Sequence, residues 1–246
     1  MRVFFVAAFV CCVTAAHADD IAGVKMMLPA VERRVHVTFF RASGDAPRPS
    51  VLMLHGAQGF DRQLANYTKY AATLAGRGID TYLVDYFSNG DIDAMNNGQD
   101  VFEQRYVAWI KSVDDLAEDV LKNKDSNGKV GLVGFSDGGT IATGAGVIDP
   151  HITAAVIYYG AVPWLVAMPP MRFPDLLILH GDADKTIAVD EGKHLAELAR
   201  GLGEHPDLVI YPGIGHGFGA NPQSKEGGDA LKRTAAFLHK ELDVKN

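Results

Sequence analysis

The feature that most constrains the fold of this chain is a serine between glycines, Gly134-Phe135-Ser136-Asp137-Gly138, at the end of an apolar run. Residues 130–133 have the length and composition of a buried strand, and the small residues at 139–147 favour a tightly packed helix. A serine between such a strand and helix lies on a sharp turn, where only glycine fits at the flanking positions. The pattern predicts a nucleophile elbow that exposes the Ser136 hydroxyl, although glycine-rich chains also produce it by chance.

Short apolar runs alternate with segments of helical spacing along the rest of the chain. Strands are predicted at residues 35–40, 50–54, 79–84, 130–133, 152–158, 176–179 and 208–211. Helices are predicted near residues 64–74, 102–120, 139–147, 195–202 and 231–242, with a loop around residues 90–98. The first strand alternates weakly, as an edge strand does, whereas the later runs are continuously apolar and suit strands buried on both faces. This alternation predicts an α/β fold with a mainly parallel central sheet, right-handed crossovers and helices on both faces.

The first residues have the composition of an export signal. A positive start is followed by an apolar run and by the small-residue cleavage site Ala16-His17-Ala18. The apolar run is too short to span a bilayer. We therefore predict a signal peptide at residues 1–18, a single domain at residues 19–246, and a periplasmic or secreted protein that has no membrane attachment after cleavage.

Composition narrows the possible partners. Both cysteines, Cys11 and Cys12, lie inside the predicted signal, so the exported chain would depend on its core rather than on disulfides. The chain carries 23 Lys and Arg against 30 Asp and Glu, a net charge of −7, and has no basic cluster. An acidic chain of this kind argues against nucleic acid and against an anionic membrane surface as partners.

The histidines can be sorted by their position relative to the predicted strands. In open α/β sheets, functional groups gather at the carboxyl ends of the strands. Of the nine histidines, only His55, His180 and His216 follow strands. His216 lies in a glycine-rich loop that can bring the imidazole over the sheet, so we predict that it is the catalytic base. His55 and His180 each precede a glycine and are interpreted as hydrogen-bonded structural residues.

Two aspartates after the same strand compete to be the acid that orients this histidine. Asp184 is favoured because Ile187, three residues later, can tuck into the core and fix the loop. Asp182 remains the alternative, with the role of a turn residue or loop cap as its other interpretation. The resulting chain order Ser136, Asp184, His216 is that of the α/β-hydrolase triad.

These residue types suit acyl transfer. A serine hydroxyl is a weak nucleophile near pH 7, so His216 would take its proton, and Asp184 would hold the imidazole tautomer. The oxyanion would need two N–H donors, predicted as Asp137 and either Ala57 or Gln58. The side chain of Asp137 is interpreted as favourable charge at a helix N-terminus.

With these motifs the chain resembles the dienelactone hydrolase family of α/β-hydrolases over residues 35–242. The resemblance rests on His55-Gly56, the serine elbow, residues 179–184 and the Tyr-x-Gly-x-x-His-Gly-Phe pattern at residues 211–218. It implies the α/β-hydrolase fold and hydrolysis of small carboxylic esters or lactones through an acyl-enzyme.

The chain departs from the namesake enzymes of that family at three places. A serine, Ser136, stands where they use a cysteine, and Gly56 stands where they place a glutamate. The arginine with which they grip a substrate carboxylate is replaced by Asp85-Tyr86-Phe87. The resemblance therefore implies a serine esterase and does not support dienelactone as the substrate.

The sequence also offers candidate pocket residues and leaves several alternative functions open. Phe87, Trp164 and Phe218 are candidate pocket residues, with ordinary surface packing as the alternative, and residues 159–175 are too few for a separate lid domain. A peptidase or acyltransferase on the same triad, and a non-catalytic binding protein that retains the fold, remain alternatives. A metal hydrolase that uses His55, His180 and the aspartates lacks the close ligand spacing of zinc sites, so we expect neither a metal nor another cofactor.

Overall fold

The computed structural model describes residues 22–30, 34–99, 101–164 and 172–244. The predicted signal peptide, residues 1–18, lies outside these ranges. Within the described residues, no helix combines the length and the apolar composition needed to cross a bilayer.

The strands form one eight-stranded sheet. They are β1 (Val24–Pro29), β2 (Arg34–Phe40), β3 (Arg48–Leu54), β4 (Asp80–Asp85), β5 (Ser126–Phe135), β6 (Ile152–Tyr158), β7 (Asp175–Gly181) and β8 (Asp207–Tyr211). Their order is β1-β2-β4-β3-β5-β6-β7-β8. The β1–β2 and β2–β4 pairs are antiparallel and the other pairs are parallel. The prediction of a mainly parallel sheet is therefore confirmed.

Helices cover both faces of this sheet, as predicted. They are α1 (Leu64–Ala75), α2 (Asn89–Asn96), α3 (Phe102–Leu121), α4 (Asp137–Ile148), α5 (Val189–Gly201) and α6 (Lys225–Glu241). The side chains of α3, α4 and α5 pack in one hydrophobic core, and those of α1 and α6 pack in a second core on the opposite face. All seven residues of β3 are buried, which explains its continuous apolar run.

Two elements differ from the prediction. Strand β2 is not the sheet edge, because β1 pairs along its outer side with Leu28 opposite Val35. Most of β1 is exposed or only partly buried, so its sequence has no strong apolar pattern to detect. The predicted loop around residues 90–98 contains helix α2, which begins with a reciprocal pair of hydrogen bonds between Ser88 and Asp91.

The ends of the parallel strands meet along one edge of the sheet and position the site. Ser136 follows β5, Asp184 lies in the loop after β7, and His216 lies in the loop after β8. Three loops that are distant in sequence are therefore neighbours in space.

Candidate active site

Ser136 lies on a strained turn between β5 and α4. Its backbone has φ +56° and ψ −120°, a region that non-glycine residues rarely adopt. A Cβ atom on Gly134 would lie 2.2 Å from the Gly138 carbonyl oxygen, and one on Gly138 would lie 2.4 Å from the His55 carbonyl oxygen. Only glycine fits at either position, so the neighbouring backbones hold the serine in this conformation.

Three side chains from three loops form one hydrogen-bonded chain. Nε2 of His216 lies 2.9 Å from the Ser136 hydroxyl oxygen, and Nδ1 lies 2.7 Å from Asp184 Oδ2. The Asp184 side chain is fully buried, whereas 22% of the His216 side chain is exposed. A buried carboxylate behind a partly exposed imidazole, which contacts a serine, is the arrangement that converts a hydroxyl into a nucleophile.

The loop after β7 is organised around the Asp184 carboxylate. Oδ1 of Asp184 accepts hydrogen bonds from the backbone N–H groups of Thr186, at 2.8 Å, and Ile187, at 3.0 Å. The carbonyl oxygen of Ile187 lies 2.9 Å from Nε2 of His180. Ile187 thus fixes the loop through its backbone, and its side chain, which is only partly buried, does not anchor the loop in the core as predicted.

The alternative acid, Asp182, has a different partner. Its Oδ1 accepts the backbone N–H of Gly213 at 2.6 Å, and its own N–H donates to the carbonyl oxygen of Tyr211. Asp182 therefore ties the β7 loop to the loop that carries His216. The structure assigns it the role of a loop cap, which was its other interpretation.

The turn after β3 brings the two predicted oxyanion residues next to the serine. The N–H of Gly59 donates to the Gly56 carbonyl oxygen at 3.0 Å, so Ala57 and Gln58 occupy the centre of a turn. A Cβ on Gly56 would lie 3.2 Å from Ser136 Cβ, which shows how closely this turn approaches the elbow. Ala57 and Gln58 line the same cavity as the serine.

This cavity has a volume of about 370 Å³ and is open to solvent. Besides Ser136, His216 and the Gly56–Gly59 turn, its lining includes Arg62, Gln63, Tyr67, Phe135 and Tyr159. Burial raises the pKa of Tyr67 to about 12 and that of Tyr159 well above its ordinary value. Both phenols are therefore neutral at pH 7.

Tyr159 was not recognised from the sequence. It directly follows β6, so the rule that functional groups lie at strand ends was the signal that could have found it. Its φ is +39°, which is strained for a tyrosine, and its ring centroid lies 4.6 Å from that of His216. The strained backbone holds this ring against the imidazole.

The three predicted pocket residues lie outside the cavity at Ser136. Trp164 is 62% exposed and contacts Tyr106 instead. Phe218 packs on Tyr159, with ring centroids 5.3 Å apart, and so lies behind the cleft wall. Phe87 is buried and lines an adjoining cavity. The prediction failed for Trp164 and Phe218 because sequence position does not give the direction of a side chain.

The remaining two histidines at strand ends are structural. His55 is fully buried, its ring stacks on Tyr86 at 4.1 Å, and its Nδ1 lies 2.8 Å from the Gly56 carbonyl oxygen. His180 is also fully buried and contacts the Asp184 loop. Across the part of the chain that the structure describes, no group of three or more His, Cys, Asp or Glu residues has a metal-binding arrangement.

The sequence and the fold of this chain are similar to those of known proteins. Residues 37–242 match the sequence model of the dienelactone hydrolase family. Acyl-protein thioesterase 1 of Gibberella zeae is 26% identical over 171 residues, which cover 64% of this chain. The same residues cover 66% of that protein, so the chain spans slightly less than two thirds of the relative's length.

Solved structures show the same fold. A dienelactone hydrolase from Anabaena variabilis superimposes with a TM-score of 0.75 at 18% identity, covering 90% of this chain and 99% of that one. A hyperthermophilic esterase from the archaeon Pyrobaculum calidifontis gives a TM-score of 0.74 at 20% identity, covering 93% of this chain and 88% of that one. These likenesses confirm the predicted α/β-hydrolase fold.

Proposed function

The chain belongs to the dienelactone hydrolase family, and from this premise we propose that it hydrolyses small carboxylic esters or lactones through an acyl-enzyme on Ser136. The observation that carries the proposal is the hydrogen-bonded chain from Ser136 through His216 to the buried Asp184. The serine replaces the cysteine of the family's namesake enzymes but keeps a base and an acid at hydrogen-bonding distance.

In the first half-reaction His216 Nε2 accepts the hydroxyl proton as the Ser136 oxygen attacks the ester carbonyl carbon. Asp184 stabilises the imidazolium that forms. The carbonyl oxygen becomes an oxyanion, which the N–H of Asp137 and an N–H of Ala57 or Gln58 would bind. When the intermediate collapses, the imidazolium gives its proton to the leaving alcohol oxygen, and an acyl-serine remains.

In the second half-reaction a water molecule takes the place of the alcohol. His216 accepts a proton from this water as its oxygen attacks the acyl carbon, and then returns the proton to Ser136 as the acid leaves. The cavity reaches solvent, so water can approach the acyl-serine. An added alcohol that diverted most of the acyl group would instead support the acyltransferase alternative.

The proposal is tested with p-nitrophenyl acetate. Ser136→Ala should reduce hydrolysis to background without loss of the folded state, whereas Ser43→Ala, outside the cleft, should retain activity. A fluorophosphonate should label Ser136 and no other residue, as located by mass spectrometry. Activity that persists in Ser136→Ala, or that a chelator removes, would contradict the serine mechanism.

We further propose that residues 1–18 are removed on export. The apolar run followed by Ala16-His17-Ala18 supports this location. Expression of the full chain should yield an exported protein whose first residue is Asp19, as measured by intact mass. A retained, uncleaved chain would contradict the proposal.

A further inference from the structure

A second cavity, of about 340 Å³, adjoins the cavity at Ser136. We call the first the serine lobe and the second the outer lobe. Ala57, Gln58, Gly59 and Arg62 line both lobes. Because Ala57 and Gln58 are the proposed oxyanion donors, a substrate arm attached at the reacting ester can extend along their turn into the outer lobe.

Part of the wall of the outer lobe is apolar. Phe60 and Phe87 form one side, and α2 contributes Ile92 and Met95. Phe87 is buried against Trp109, with ring centroids 4.9 Å apart, so this wall is supported from behind by α3. Walls of this kind suit an alkyl or aromatic arm of a substrate.

The polar part of the wall consists of Gln58, Arg62, Asn96 and one carboxylate. Asp85, at the end of β4, lines the outer lobe but not the serine lobe, and 44% of its side chain is exposed. Its Oδ1 lies 3.4 Å from Nε2 of the buried His55. Among the described residues, no lysine or arginine forms an ion pair with this carboxylate, and its contact with His55 is not a hydrogen bond.

A carboxylate in this position favours one kind of ligand. An apolar arm that covered Asp85 would remove water from it without replacing the lost hydrogen bonds, which costs free energy. An arm that ended in a hydroxyl or ammonium group would supply a donor instead. A carboxylate-ended arm would meet a like charge at Asp85.

We infer that the outer lobe is a substrate subsite for an apolar arm that ends in a hydrogen-bond donor, and that Asp85 selects this end group. The inference rests on the proposed hydrolase function. Asp85 is on this view a specificity residue that contacts the substrate away from the reacting atoms. Arg62, on the wall shared by both lobes, would favour the opposite charge, so the test includes an anionic ester.

The test compares p-nitrophenyl esters of four six-carbon acids: hexanoate, 6-hydroxyhexanoate, 6-ammoniohexanoate and monoadipate. A second series places the alkyl, hydroxyl and ammonium end groups on the alcohol, as acetates of butanol, 1,4-butanediol and 4-ammoniobutanol, because either half of the ester can enter the lobe. The wild type should show higher kcat/KM for donor-ended esters than for the matched alkyl ester in one series. The comparison of hydroxyl with ammonium shows whether charge adds to donation.

Two variants and a control isolate Asp85. Asp85→Asn should reduce the preference for the ammonium-ended ester about tenfold, the effect of losing one charged hydrogen bond. Asp190→Asn, on the exposed surface of α5, should leave the preference as in the wild type. Ile92→Trp should fill the lobe and lower kcat/KM for the long esters relative to acetate. Because each readout is a ratio between substrates, partial loss of folded protein does not change it.

The outcomes separate the two proposals. Hydrolysis that survives Ser136→Ala, or no hydrolysis of any ester, would overturn the proposed function. Hydrolysis that depends on Ser136 but has no end-group preference, a preference that Asp85→Asn leaves intact, or a preference for monoadipate would overturn the subsite alone.

Discussion

The side chains of His180 and Asp184 are both fully buried, and His180 Nε2 lies 3.5 Å from Asp184 Oδ2. The same Nε2 atom lies 2.9 Å from the carbonyl oxygen of Ile187. Burial lowers the pKa of the His180 imidazole, so the ring is neutral at pH 7. A neutral imidazole that bonds a carbonyl oxygen carries its proton on that nitrogen. His180 therefore donates to the loop that holds Asp184 and acts as a positioning residue.

His180→Leu should weaken both stability and catalysis. The Ile187 carbonyl oxygen would lose its donor in a partly buried position, which lowers the free energy of unfolding by about 1 kcal/mol. The Asp184 loop would also lose a contact, so kcat for p-nitrophenyl acetate should fall. His180→Gln retains an N–H donor and should recover part of both quantities. Urea unfolding and steady-state kinetics measure them, and equal losses in the two variants would argue against the donor role.

His180 should also make stability depend on pH below neutrality. Its folded pKa is lower than the unfolded value of 6.5, so the unfolded chain binds more protons between these two pKa values. The contribution is complete above pH 6.5 and is lost as pH falls from there towards the folded pKa. His180→Gln removes this titration. The melting temperature of the variant should therefore fall less than that of the wild type between pH 7.5 and pH 5, and parallel falls would contradict the assignment.

Two matched amide substitutions distinguish the aspartates of the β7 loop. Asp184→Asn replaces the acceptor of His216 Nδ1 and should lower kcat by about 10⁴-fold, because the imidazole is then held in the wrong tautomer. Asp182→Asn keeps an oxygen acceptor for Gly213 and should retain most activity. Kinetics at pH 8 with both purified variants make the comparison. A larger loss in Asp182→Asn would reassign the orienting acid.

Gly138→Ala should be strongly destabilising. Its Cβ would lie 2.4 Å from the His55 carbonyl oxygen and 2.5 Å from that of Leu54, and both are backbone atoms of a buried strand end. Overpacking of this kind costs about 1–3 kcal/mol and would also displace Ser136. Gly201→Ala, with no atom within 4 Å of its Cβ, is the control and should be neutral or stabilise slightly. Thermal unfolding of both variants decides the point.

Most of the fold could be predicted because its signals are local. Continuous apolar runs identified the buried strands, and amphipathic spacing identified α1, α3 and α6. Strand β1 was not predicted because an outer strand that is mostly exposed needs no regular apolar pattern. Helix α2 was not predicted because its first residues, Asn-Gly-Asp, have the composition of a turn. The helix begins at the capping pair of Ser88 and Asp91.

The candidate site also has a part that could be predicted from the sequence and a part that could not. Ser136, Asp184 and His216 could be chosen from motifs and from the rule that strand ends converge, and the structure brings them within hydrogen-bonding distance. The lining of the cleft could not be chosen in this way. Tyr159 lines the cavity and has a strained backbone, whereas the Trp164 side chain is exposed to solvent. The spacing of nearby residues in the sequence does not predict the direction of either side chain.

Asp91→Ala should loosen α2 and, through it, the outer lobe. Asp91 accepts hydrogen bonds from Arg105 Nε at 3.0 Å and from Trp109 Nε1 at 3.1 Å, and so ties the first turn of α2 to α3. Burial tends to raise the pKa of its carboxyl, but bonds from Ser88, Trp109 and Arg105 outweigh burial and hold it below 3.8.

Removal of these acceptors should lower the free energy of unfolding by about 1–3 kcal/mol, because the indole N–H is left buried without a partner. The kcat/KM for p-nitrophenyl hexanoate should fall more than that for the acetate, since α2 carries Ile92 and Met95. Asp93→Ala, on the same helix but exposed, is the matched control. Urea unfolding and the ratio of the two esters give the result; an unchanged ratio in a destabilised Asp91→Ala protein would show that α2 does not shape the cleft.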